Sequence, residues 1–183
     1  LKAEDAVAAG FDEIQHINQL MLNFLVKPDT DTRTLDRFYL PAKQVADLDL
    51  NGKAVQDFIR LLKTNNVTVD PTLATFDFLK KTDGTVGEPW RAIVKHLPPD
   101  IQRSYARAEL DIPDEATAQR YAKSYAKMVE FVGMMYKAGI PVVAGTDELA
   151  GFTLQGELEL LVKAGLTAAE ALQVATLNGA RYS

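Results

Sequence analysis

His16 and Asp147 are the two residues whose types and placement could carry chemistry. Each stands where a strand-like stretch stops. His16 lies near the end of Phe11-Asp12-Glu13-Ile14-Gln15-His16-Ile17, a short alternating run that follows a helix end and Gly10. Thr146-Asp147 follows Ile140-Pro141-Val142-Val143-Ala144-Gly145, whose unbroken apolar character suits a buried parallel strand. Imidazole nitrogen and carboxylate oxygen both ligate divalent metals, zinc in particular. A carboxylate beside an activated water can also take its proton. Each residue has an ordinary reading as well. A lone His on a short strand is commonly a hydrogen-bonded structural residue, and an Asp after a strand often only caps a turn.

The elements that must position this pair can be traced along the chain. Ala3 to Ala9 is helix-compatible and Gly10 ends it. Residues 18–50 are less regular, with a short helical piece around Leu20–Leu25 and a turn at Pro28-Asp29-Thr30. Asn51 to Asn65 reads as an amphipathic helix, with Val55, Phe58, Ile59 and Leu62 on one stripe. Val67 to Leu73 is β-branched, a second strand that stops near Pro71. Residues 80–113 hold five prolines and glycines between Gly84 and Pro99 and read as an irregular excursion. Asp114 can cap a long helix over Glu115–Ala138, whose stripe includes Tyr121, Tyr125, Met128, Val129, Val132 and Met135. Two helices follow, Thr153–Ala164 and one opened by the capping box Thr167-Ala168-Ala169-Glu170 and reaching about Asn178. Strands alternating with helices predict an α/β class with a parallel sheet, the arrangement that gathers active sites at the carboxyl ends of strands.

Composition narrows the function classes. The chain has 183 residues, a net charge of -5, two His and no Cys. Without Cys there is no disulfide framework, no thiolate zinc site and no thiol nucleophile. Two His exclude a self-contained site of three or more His. An acidic chain without a basic stripe is a poor nucleic-acid binder, and no apolar run approaches the roughly 18 residues that suggest a membrane span. The compartment stays open between cytoplasm and periplasm. His96, in Lys95-His96-Leu97-Pro98, reads as a solvated loop residue. Arg33, Arg37 and Tyr39, in the long connection after His16, are candidates to meet a substrate.

The stretch from Ala138 to Asp147, ending Gly145-Thr146-Asp147, resembles the last barrel strand of the metal-dependent amidohydrolase superfamily. The likeness continues through Ala164-Gly165-Leu166-Thr167, Glu170-Ala171-Leu172, Ala175-Thr176 and Asn178-Gly179-Ala180. Ala8-Ala9-Gly10-Phe11-Asp12-Glu13-Ile14-Gln15-His16 resembles the helix end and sixth strand of the same family, in its imidazolonepropionase and prolidase-like branch. The resemblance is poor over 18–50 and 80–113.

That resemblance implies one partial domain over 1–183, the C-terminal part of a (β/α)8 TIM barrel comprising strands six to eight with their helices. It implies hydrolysis of an amide or other C–N bond in a small-molecule or peptide-like substrate by metal-activated water. Asp147 matches the metal-binding aspartate that also acts as general base. His16 matches a residue that binds metal in some members and substrate in others. One or two divalent ions, zinc by donor chemistry, would sit in the intact enzyme. The first-strand His pair, the fourth-strand bridging residue and the fifth-strand His have no counterpart here. The segment alone is therefore expected to be inactive, with weak metal affinity, and to associate with itself or with the absent barrel half. Specificity is expected in the loops 18–50, 74–113 and 148–152. Two other readings are a stand-alone α/β binding module and an interaction domain built on the long helices. The second requires His16 and Asp147 to lie more than about 10 Å apart, beyond a shared metal centre.

Overall fold

A computed structural model describes residues 2–148 and 151–182. Leu1, Ser183 and positions 149–150 of the loop 148–152 lie outside the described residues.

Two short parallel strands, β1 (Glu13–Gln15) and β2 (Thr68–Asp70), pair in the register Glu13–Thr68, Ile14–Val69 and Gln15–Asp70. The third predicted strand, 140–145, reduces to one parallel bridge between Val69 and Val142. It still holds its place beside β2, because Val69 donates to the Pro141 carbonyl and Val143 donates to that of Val69. All three segments therefore run side by side in chain order. Ile14, Val69 and Val142 form a buried row across them.

Helices make up most of the remainder. They are α1 (Ala3–Ala8), α2 (Ile17–Leu25), α3 (Asp36–Gln44), α4 (Lys53–Thr64), α5 (Pro99–Tyr105), α6 (Glu115–Lys137), α7 (Thr153–Lys163), α8 (Ala168–Gln173) and α9 (Gly179–Tyr182). The chain is thus α/β, with helices dominating. The α4 stripe Val55, Phe58, Ile59, Leu62 is buried as its spacing predicts. Every named position of the α6 stripe is buried too, and Asp114 caps that helix by accepting from the Thr117 N–H at 2.7 Å. These residues join the strand row in one core cluster. Full burial of such a side chain is worth about 1.5–3 kcal/mol.

Three expectations need correction. Residues 18–50 contain two ordered helices, α2 and α3, rather than one short piece. The helix after Thr167 does not run unbroken to Asn178. It gives way to a wider π turn over Val174–Asn178, which buries Asn178 with Nδ2 donating to the Val142 carbonyl at 2.9 Å. The strands are three residues long rather than about seven, because the backbone turns left-handed at their ends. Residues 80–113 form short turns and α5, as their prolines predict. No helix among the described residues is long and apolar enough to cross a membrane.

Candidate active site

The three strand ends share one backbone feature. Among the described residues, four non-glycine positions have positive φ: His16 (70°), Asn66 (53°), Thr72 (45°) and Asp147 (45°). Asn66 follows α4 and serves as an ordinary helix stop. The other three fall at or just past the carboxyl ends of β1, β2 and the 140–145 segment. Left-handed backbone at non-glycine residues costs of order 1–3 kcal/mol each and persists only where its surroundings enforce it. At His16 hydrogen bonds hold it: the His16 N–H donates to the Asp70 carbonyl at 2.8 Å, and the Ile17 N–H to that of Pro71 at 2.9 Å.

These reversals aim three side chains at one point. His16 Nδ1 lies 2.9 Å from Thr72 Oγ1 and 3.8 Å from Asp147 Oδ2. The Asp147 side chain is 56% exposed and that of His16 31%, so both are open to a ligand. Phe76 packs its ring edge-on against the imidazole, with centroids 5.8 Å apart. Thr75 Oγ1 donates to the Thr146 carbonyl at 2.6 Å, which ties the β2 loop to the strand end that carries Asp147.

Gly145 has a physical reason within Gly145-Thr146-Asp147. Its N–H donates to Asp70 Oδ1 at 2.8 Å, and a Cβ there would come within 2.0 Å of Asp70 Oδ2. Burial raises the Asp70 carboxyl above its ordinary range, while the Gly145 N–H pulls it back.

Beneath the mouth lies a second carboxylate. Glu157, on α7, is fully buried and accepts from the Leu73 and Ala74 N–H groups at 3.0 and 2.6 Å. Burial pushes its carboxyl up to about 7, against the lowering effect of those two donors. Tyr125 completes the support by donating to the Leu73 carbonyl at 2.8 Å. The loop that carries Thr72 and Thr75 is thus locked from below.

A cavity of about 170 Å3 opens beside His16 and Asp147, lined also by Asn18, Arg37, Phe38 and Phe76. Of the three candidates after His16, Arg37 reaches it. Arg33 instead pairs with Asp31 at 2.9 Å, and the Tyr39 hydroxyl accepts from the Asp111 N–H at 3.0 Å. His96 is exposed in a short turn and does not line the cavity.

His16 and Asp147 carry donor types that suit zinc. The 3.8 Å from Asp147 Oδ2 is measured to Nδ1, the nitrogen that Thr72 holds, so a ligand role would fall to Nε2. No group of three His, Cys, Asp or Glu able to hold an ion occurs among the described residues. This chain would supply at most two ligands of the roughly four that zinc takes.

Asn18, Thr72 and Glu157 carry no sequence motif. Asn18 and Glu157 had one available signal: each is a polar residue on the apolar stripe of its helix. A scan against protein-family models and searches of curated proteins and of solved structures return no match to this chain.

Proposed function

We propose that this chain forms the strand-six-to-eight part of a metal-dependent amidohydrolase barrel, whose mouth hydrolyses an amide or other C–N bond in a small or peptide-like substrate. The observation that carries this reading is the convergence of three left-handed residues, from the ends of three adjacent parallel segments, on one imidazole with an open carboxylate 3.8 Å away. His16 and Asp147 would hold a divalent ion, zinc by donor chemistry, together with ligands from outside this chain. When bound, such an ion lowers the pKa of its water toward neutrality.

The chain's own residues do the remaining work. Asp147 accepts the proton of the attacking water and returns it to the leaving nitrogen. Thr72 fixes the imidazole: with Nδ1–H donating to Thr72 Oγ1, Nε2 keeps its lone pair for a ligand. Thr75 holds the Asp147 turn against β2 through the Thr146 carbonyl. Glu157 and Tyr125 hold the loop bearing both threonines.

The test is an Asp147→Asn change in a full-length enzyme that carries this segment. General acid–base catalysis contributes about 10²–10⁴-fold, so turnover should fall at least about 100-fold. Turnover close to the parent's would overturn the assignment. The segment alone, with two ligands, should turn over no amide and keep little metal after dialysis; near-stoichiometric zinc by elemental analysis would contradict this. The outer edge of β1 pairs with no strand among the described residues. That edge favours self-association or pairing with the rest of a barrel, and a strictly monomeric species in light scattering would count against it.

A further inference from the structure

β2 ends on a residue that holds both of its neighbours. On one side, directly beyond the Gln15–Asp70 pair, the Asp70 carbonyl accepts the His16 N–H at 2.8 Å. On the other side the Asp70 carboxylate crosses to the 140–145 segment, where Oδ1 accepts the Gly145 N–H at 2.8 Å. The chain segments that carry His16 and Asp147 thus meet on opposite flanks of Asp70. Its main chain holds the first and its side chain the second.

The fit at Gly145 is specific to that carboxylate. Gly145 is not among the left-handed glycines, so its backbone does not call for glycine. The space around it does. The three nearest heavy atoms to a Cβ built there all belong to the Asp70 carboxyl group, with Oδ2 at 2.0 Å and Cγ and Oδ1 at 2.6 Å. Asp70 and Gly145 are therefore a matched pair, 75 positions apart. Beyond Gly145 the chain runs through Thr146 to Asp147. Thr75 Oγ1 donates to the Thr146 carbonyl at 2.6 Å and reaches that of Asp147 at 3.2 Å. Asp147 stands at φ 45° with an exposed side chain, so its strained backbone must be held by these neighbours. Asp70 clamps the start of the turn and Thr75 its middle.

We infer that Asp70 is a positioning residue of the mouth: its carboxylate, seated against Gly145, holds the Thr146–Asp147 turn in its left-handed form and so sets where the Asp147 carboxylate stands relative to His16. Asp70 acts through Asp147 rather than on a substrate. The inference rests on the hydrolytic reading only in making Asp147 the proton acceptor. The hold on the turn is a property of this chain with or without a metal.

The test is NMR on the 183-residue chain and its variants. A left-handed residue brings its own N–H and Hα close together, so Asp147 should give a strong intraresidue NOE in the unaltered chain. Asp70→Ala should weaken that NOE to the level of ordinary residues. The NOE of Asn66, left-handed but before the other end of β2, should stay strong and report an intact fold. Asp70→Asn should retain the Asp147 NOE, because its amide oxygen can still accept the Gly145 N–H. A strong Asp147 NOE in Asp70→Ala, or its loss in Asp70→Asn with that of Asn66 kept, would overturn the inference. Gly145→Ala approaches the same contact from the other side and serves if Asp70→Ala does not fold. Its methyl should displace the carboxylate and weaken the Asp147 NOE likewise, and an unchanged NOE would overturn the matched pair. Zinc then separates the two readings. Where zinc moves the His16 signals, Asp70→Ala should weaken its binding about 10-fold or more, and unchanged affinity would overturn the role of Asp70 in the mouth. No zinc response in the unaltered chain would strike the metal reading and leave the NOE result standing.

Discussion

The mouth and the seat beneath it each contain a carboxylate, and the two have opposite surroundings. Asp147 is more than half exposed, stands on left-handed backbone and lines a cavity. Glu157 is sealed, sits in a regular helix and spends both oxygens on backbone N–H groups. Glu157 has the raised carboxyl, the property usually taken as a sign of function. It nevertheless cannot reach a ligand. Accessibility and backbone strain single out the proposed site here, while the raised pKa belongs to the support beneath it.

The comparison breaks most readily at Glu157. Glu157→Ala leaves two buried N–H groups unpaired and a hole under the loop, and should cost about 3–5 kcal/mol in urea unfolding. A loss below about 1 kcal/mol would make the seat dispensable. Its titration gives the next largest effect. The folded carboxyl titrates at about 7 and the ordinary value is 4.5, so the folded state keeps its proton longer. Glu157's contribution is therefore fully present below about pH 4.5 and declines as pH rises toward about 7. The decline is of order 3 kcal/mol. Subtracting the stability profile of Glu157→Gln from that of the unaltered chain should isolate this slope, and parallel profiles would refute it.

Gly133→Ala tests how tightly α7, and so Glu157, is held. A Cβ at 133 would lie 1.9 Å from the Ala164 carbonyl oxygen, where α6 meets the end of α7. Overpacking of this kind costs about 1–3 kcal/mol, readable in the same unfolding experiment. The mouth should respond least and with the other sign. Asp147→Gly removes left-handed strain from an exposed residue, so stability should stay level or rise by up to about 1 kcal/mol. A loss of about 2 kcal/mol or more would mean that Asp147 is structural.

The sequence shows the parts of this arrangement that depend on periodicity. The stripes of α4 and α6 and the caps at Asp114 and Thr167 follow from local spacing. His16 and Asp147 are legible because each ends a strand-like run, alternating before His16 and apolar before Asp147. α3 is not, since Pro41 within Asp36–Gln44 masks its period. Asn18 and Glu157 are legible only as polar residues on apolar stripes, because their partners lie 19 and more than 80 positions away. Thr72 reaches His16 across 56 positions through a left-handed turn that no local pattern encodes.

The most direct test of the mouth uses the chain's two histidines as reporters. Zinc is titrated into the chain while the imidazole NMR signals of His16 and His96 are followed. Weak zinc binding should move His16 and leave His96 nearly unchanged, and Asp147→Asn should remove the His16 response. Equal responses from both histidines, or a His16 response indifferent to Asp147→Asn, would contradict a shared site at the ends of these strands.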